Sequence, residues 1–240
     1  MDEYEQQTTA ELVIWKKRMQ RRPSFFSQLT KKVQVRVNKI IPEKVHKAIT
    51  TAIKQMTRAV CFGMKFATPS PLETGTFQER ETKVDERIKF FSRTAAAEGA
   101  VTGAGGILLG LADFPLWLTV KMKMLYEIAA LYGFNVKDYK ERVYLLFIFE
   151  LTFSSQRNRR KVFSILSDWD NYSRKMPDDI NQFDWRSFQQ EYRDYIDIAK
   201  LLQLVPGIGA FVGALVNHRL TNKLGMIAKN AYRMRLQQSL

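Results

Sequence analysis

Cysteine is nearly missing from this chain: Cys61 stands alone among 240 residues. No internal disulfide can form, and a reducing compartment is expected. Histidine is almost as scarce. His46 and His218 leave few ways to build a nucleophile–base pair or an imidazole-rich metal site. No serine sits in a nucleophile elbow, and Cys61 has Arg58 and Lys65 near it but no histidine close in sequence, so a small buried hydrophobe is its expected role. His46 reads as a surface residue among basic neighbours, and His218 as a polar position on the last helix. The opening Met1-Asp-Glu-Tyr-Glu-Gln-Gln lacks the charged and apolar regions of a secretory signal. The expected location is therefore cytoplasmic, peripheral to the inner face of the cell membrane.

Acids are the next shortage, with 24 Asp and Glu against 38 Lys and Arg, for a net charge of +14. The excess is uneven. Residues 1–66 hold fourteen cations and five acids, so the first quarter of the chain carries most of it. Such an asymmetry points to a polyanionic partner, either an anionic lipid surface or nucleic acid. The alternative is a basic solvated face with no partner.

What is abundant is helical periodicity. Val45, Ile49, Ile53, Met56, Val60 and Met64 form one stripe on a helix running from about Pro42 to Phe66, with Lys44, Lys47, Lys54 and Arg58 between the stripe positions. Leu12, Trp15 and Met19, interleaved with Lys16, Lys17, Arg18, Arg21 and Arg22, predict a shorter helix ending before Pro23. These nine cations are the candidate membrane-binding residues. The prolines and glycine of residues 68–76 break any period. They divide a basic amphipathic arm, residues 1–67, from a helical body, residues 78–240. Helices are expected over Phe77–Ser92, Phe114–Tyr132 (closed by Gly133 as a C′ residue), Val143–Phe153, 161–176, 184–204 and from Pro206 almost to the end. No strand-like alternation competes, and the expected fold is an all-α bundle with glycine-rich, closely packed central helices.

Two glycine blocks carry a cost. Gly99, Gly103, Gly106 and Gly110, if helical, lose ~3–4 kcal/mol of helix propensity relative to alanine. Close backbone contact offsets that, and the four-residue spacings, repeated by Gly209 and Gly213, suit it. A phosphate cradle does not fit. No Gly-Lys-Ser/Thr follows, Leu108 and Val212 stand where a dinucleotide fingerprint needs its third glycine, and no strand precedes either block. No cofactor is expected. A bilayer span needs ~20 apolar residues. Residues 95–112 carry Glu98 and the glycines, while Phe114–Tyr132 carries Lys121, Lys123 and Glu127. Shallow insertion or burial within the protein is expected instead.

Three acids in apolar surroundings are candidate buried carboxylates: Glu98, Asp113 and Glu150. Asp113 reads first as an N-cap, with Pro115 in the first turn. The sharper reading is a carboxylate of raised pKa, paired with Lys121 or an arginine. No Glu-x-x-His accompanies the three, so no metal site is expected. Nothing reads as an enzyme active site.

Residues Ala96-Ala-Glu-Gly-Ala-Val-Thr-Gly-Ala-Gly-Gly, Ala112-Asp-Phe-Pro, Glu127-Ile-Ala-Ala-Leu-Tyr-Gly, the block Val205-Pro-Gly-Ile-Gly-Ala-Phe-Val-Gly-Ala-Leu-Val-Asn and Leu224-Gly-Met-Ile-Ala-Lys-Asn-Ala-Tyr-Arg together resemble the EcsC family of bacterial proteins over residues 80–236. The resemblance implies no catalytic residues, because the family has none defined. It implies a link to an ABC transporter through the family's name. The expected function is therefore a membrane-associated helical protein bound to anionic lipid, with a transporter or other membrane protein as a further partner. The alternatives are a nucleic-acid-binding protein, to which the arm's apolar stripe is less suited, and a lipid-directed enzyme or carrier using Glu98, Asp113 and Glu150.

Overall fold

The computed structural model describes residues 3–21, 43–61, 69–104, 114–154, 156–188, 190 and 210–238. Its elements are helical throughout: α1 (Glu3–Gln20), α2 (Glu43–Cys61), α3 (Phe77–Ala104), α4 (Phe114–Leu131), α5 (Tyr139–Phe153), α6 (Gln156–Ser167), α7 (Trp169–Arg174), a 3-10 turn (Ile180–Gln182) and α8 (Ala210–Gln238). The chain is all-α.

Two long rods form the axis. α3 has 28 residues and α8 has 29, each ~42 Å at 1.5 Å per residue. They lie antiparallel. Arg233 meets Glu81, Lys229 meets Asp85, Gly225 meets Ile88 and Asn217 meets Ala95, so one helix counts up as the other counts down. Among the described residues, the close approach has its evident requirement at Gly225. A Cβ at Gly225 would stand 2.6 Å from Ile88 Cγ1 and 2.9 Å from its Cγ2, on a β-branched side chain with little freedom to turn away. α3 begins at a capping box: Thr76 N donates to Glu79 Oε2 (2.8 Å), and Glu79 N donates to Thr76 Oγ1 (3.2 Å).

α4 and α5 supply most of the apolar mass. α5 is buried along nearly its whole length, from Val143 through Phe153. It starts at Asp138, whose carboxylate accepts from Lys140 N (2.9 Å). α4 ends as the sequence predicts. Gly133 takes φ +90°, Phe134 N donates to Ala129 O and Gly133 N to Ala130 O (both 3.0 Å), which is a Schellman closure. Phe134 then packs on Tyr232 of α8.

Several boundaries differ from the sequence reading. α1 starts at Glu3, ahead of the Leu12, Trp15 and Met19 stripe that predicted a helix here, because Tyr4 and Thr8 also face inward and Tyr4 bonds Glu81. α3 continues without a break into the glycine-rich block, placing Gly99 and Gly103 in helix. The helix expected over 161–176 is broken at Asp168, and α7 turns Trp169 into the core against Tyr144 and Phe147.

The segments before Pro69 are packed onto the body. Ile53, Met56 and Val60 of α2 lie in the same core as α4 and α5, and Tyr126 donates to Val60 O. Those three side chains are therefore covered by protein and are not free to enter a bilayer. Periodicity alone reads the same for a helix lying on a core and one lying on lipid. In α1, Leu12 is buried and Trp15 meets Phe163 of α6 edge-on, at 5.5 Å and 73°.

Candidate functional site

The charged groups of α8 fall into two populations. Toward its C-terminal end every cation is matched. Arg233 grips Glu81 with Nε at 2.6 Å and Nη2 at 2.5 Å, and reaches Glu11 with Nη1 at 3.0 Å. Lys229 sits 2.8 Å from Asp85 and 3.4 Å from Glu81. Tyr132 and Tyr4 donate to the two oxygens of Glu81 at 2.7 and 2.8 Å. Burial pushes the Glu81 carboxyl up, but its hydrogen bonds from Arg233 and Tyr132 and the charges of Arg233 and Lys229 outweigh this, so it titrates below the usual carboxylate range. Tyr4 is pushed up to about 12 by burial and by its bond to Glu81. One turn away, Glu141 accepts from Tyr232 (2.5 Å) and Arg235 (2.7 Å), and Arg235 stacks over Phe134 and Tyr144. Burial dominates there and raises Glu141 despite Arg235.

A cavity of about 750 Å³ opens beside this network. Leu72, Phe77 and Leu236 form its apolar wall, and Tyr132 and Arg233 close its floor. Arg80, also on the lining, is committed to backbone, donating to Gly75 O and Leu131 O. Among the described residues its lining includes no cysteine, histidine, lysine or serine. It offers a walled recess whose floor is internally neutralised.

At the other end of the rods lies a smaller polar knot. Asn217 Oδ1 accepts from Trp117 Nε1 and from Lys121 Nζ (2.8 Å), while its Nδ2 donates to Ala95 O (2.6 Å). One side chain thus ties α3, α4 and α8. Lys121 is fully buried, with its ammonium 4.0 Å from the Trp117 ring. Burial drives its pKa well below the ordinary lysine value, and the negative charge of Glu98 opposes this.

The residues singled out from sequence distribute as follows. Glu98 is half-buried on α3 and acts on Lys121, and Glu150 is buried on α5. Asp113 lies outside the described residues, as do Gly106, Gly110, Gly209 and Arg22. Asp113, read first as an N-cap and otherwise as a partner of Lys121 or an arginine, is thus not described, while the described partners of Lys121 are Asn217, Trp117 and Glu98. Among the described residues no group of three or more His, Cys, Asp or Glu is placed to hold a metal. Gly99 is buried in α3, and Gly213 falls in the first turn of α8. The glycine whose close approach is evident, Gly225, was not singled out. It lies in Leu224-Gly-Met, outside the two blocks that drew attention.

Of the basic candidates, Lys17, Arg18, Arg21, Lys47, Lys54 and Arg58 face solvent, and Lys16 is half-buried. Beside the first three, Val13 and Ile14 are 46% and 53% exposed. The outer face of α1 therefore combines two bare apolar side chains with cations one turn further on. No described helix is long and apolar enough to cross a membrane.

An all-α bundle built on two antiparallel rods is the class that the fold defines. The chain belongs to the EcsC protein family, whose sequence model matches residues 6–236. That match takes in α1 and α2, so the segment before Pro69 is part of the family pattern. The chain is 41% identical over 227 residues to Protein EcsC of Bacillus subtilis (strain 168), covering 94% of this chain and 93% of that one. It is 27% identical over 250 residues to Uncharacterized protein YdbA of the same organism, covering 95% and 91%. No solved structure matches.

Proposed function

We propose that this protein is a non-enzymatic, peripheral membrane component that docks on anionic lipid through the outer face of α1. The observation that carries the reading is the pairing of exposed Val13 and Ile14 with exposed Lys17, Arg18 and Arg21 on one helix face. A short apolar protrusion gains burial on entering the headgroup region, and each cation near an anionic surface contributes ~1 kcal/mol. Lys47, Lys54 and Arg58 add to the field from α2. The contact is interfacial, since Leu12 of α1 and Ile53, Met56 and Val60 of α2 are already spent on the core. A transporter as protein partner rests on the family resemblance and would be met at the same surface.

Flotation of the full chain with vesicles of phosphatidylcholine, with and without phosphatidylglycerol, tests this. Binding to acidic vesicles only, weakened by salt and by Lys17→Glu/Arg18→Glu/Arg21→Glu, is expected. Equal recovery with both vesicle types contradicts it.

A further inference from the structure

The recess beside the Glu81–Arg233 network is a walled cavity that takes no part in lipid docking through Val13 and Ile14. Its volume of about 750 Å³ falls within the ~300–1,000 Å³ range of small-molecule sites. Each wall is fixed by a contact between elements. Tyr4 donates to Glu81, and Gln237 Nε2 donates to Thr9 Oγ1 (2.9 Å), holding the first half of α1 against α3 and α8. Leu72 N donates to Ala130 O (2.8 Å), which fastens the loop wall to α4. Arg80 Nη1 donates to Leu131 O (3.3 Å), and a Cβ at Gly133 would stand 3.1 Å from that same nitrogen. The recess is formed before any ligand arrives, so little ordering entropy remains to be lost on binding.

Leu72, Phe77, Leu236 and the ring of Tyr132 line the apolar part and call for an apolar body. The polar groups decide what the other end of a ligand must be. Two arginines line the recess, Arg80 and Arg233, and in a protein of net charge +14 they would suggest an anion. Both are committed. Every guanidinium nitrogen of Arg233 is engaged by Glu81 or Glu11, and Arg80 donates from Nε and Nη1 to backbone carbonyls.

Acceptors remain. Gln237 bonds Thr9 through its amide nitrogen and keeps its oxygen. Glu73 is exposed, with no hydrogen-bond or ion-pair partner among the described residues. Charge has the same sign of bias. On the lining Glu5 and Glu73 outnumber Arg80, and on the floor Glu11, Glu81 and Asp85 outnumber Lys229 and Arg233. The cavity is an acidic corner of a basic protein.

We propose that this recess binds a small amphipathic cation, an aliphatic chain ending in a primary ammonium. The chain lies against Leu72, Phe77 and Leu236, and the ammonium donates to Glu73 and to Gln237 Oε1. A carboxylate or phosphate in that place meets acceptors and like charge. A phospholipid ammonium brings its own phosphate, so a simple amine is the better fit. The site does not depend on lipid docking by α1, and the failure of either leaves the other standing.

Calorimetric titration of the full chain at about pH 7, where an aliphatic amine is protonated, tests the proposal. The probes are n-octylammonium chloride below its micellar concentration and, in parallel, octanoate, octan-1-ol and dihexanoylphosphatidylethanolamine. Octylammonium is expected to bind roughly fivefold or more tighter than each of the others, the weight of one exposed charge at contact in water. Glu73→Lys should remove its advantage over octanol and leave the melt of the free protein unchanged, as an exposed substitution does. Leu236→Trp should fill the recess and abolish binding of amine and alcohol alike; if that variant fails to fold, Glu73→Lys decides alone. Octanoate or the phospholipid binding as tightly as octylammonium overturns the proposal. So does an octylammonium affinity that survives Glu73→Lys, or no binding at all.

Discussion

The two ends of α8 carry the same kinds of cation in opposite circumstances. Around Lys229, Arg233 and Arg235, carboxylates from α1, α3 and α5 converge, and each positive charge is met within 3.0 Å. Around Asn217 a buried lysine is held by an amide oxygen and an indole ring, while Arg93, Lys123 and Arg219 face outward. Charge satisfied internally organises a fold; charge left facing solvent is available to something outside. A buried ion pair is costly to break from one side even where it adds little over an apolar replacement. The first end is therefore expected to be sensitive to mutation in stability, and the second much less so.

The largest effect should come from Glu81→Ala, which strands Arg233 and Lys229 in a buried setting. A loss of about 3–5 kcal/mol is expected, read as a fall in the denaturant midpoint. The same carboxylate sets an acid limb. Its folded pKa lies below the unfolded value, so its contribution is present above the ordinary carboxylate pKa and is lost as pH falls through the folded one. Glu141, raised by burial, works in the opposite sense and loses its contribution as pH rises. In a stability titration, Glu81→Gln should flatten the loss below ~pH 4.5; an unchanged acid limb would put that loss elsewhere.

Gly225→Ala comes next. The new methyl must displace Ile88, at about 1–3 kcal/mol for overpacking, less ~1 kcal/mol of improved helix propensity. Adding Ile88→Ala should make the pair less damaging than the sum of the singles, and strict additivity would show that the two do not meet. Lys121→Met is expected to change stability by less than ~1.5 kcal/mol, in either direction, although Lys121 is as buried as Glu81. It removes a charge that burial disfavours, and Asn217 keeps its bond from Trp117. A loss comparable to Glu81→Ala would erase the distinction between the two ends. Smallest of all, Arg93→Glu/Arg219→Glu should stay within ~0.5 kcal/mol, as exposed substitutions do.

The all-α class, the helix over Phe114–Leu131 with its Gly133 closure, and α5 were legible because apolar period and turn chemistry are local. The pairing of Glu81 with Arg233 was not. The partners stand 152 positions apart, and neither has a neighbour that distinguishes it from an ordinary surface charge. Gly225 was missed for a related reason, since a lone helical glycine shows its purpose only beside Ile88. The stripe on α2 was read correctly as amphipathic, but whether core or lipid covers it depends on α4 and α5. Lys121 was noticed as an obstacle to membrane spanning, and its burial against Asn217 gives that position a different meaning.

Lysine footprinting with and without acidic vesicles tests the account most directly. Lys17 should lose reactivity toward an acylating reagent when phosphatidylglycerol vesicles are added, while Lys137, exposed beyond the far end of α4, keeps its own. Protection of Lys137 with Lys17 left reactive would mean that another face meets the bilayer, and would contradict docking through α1.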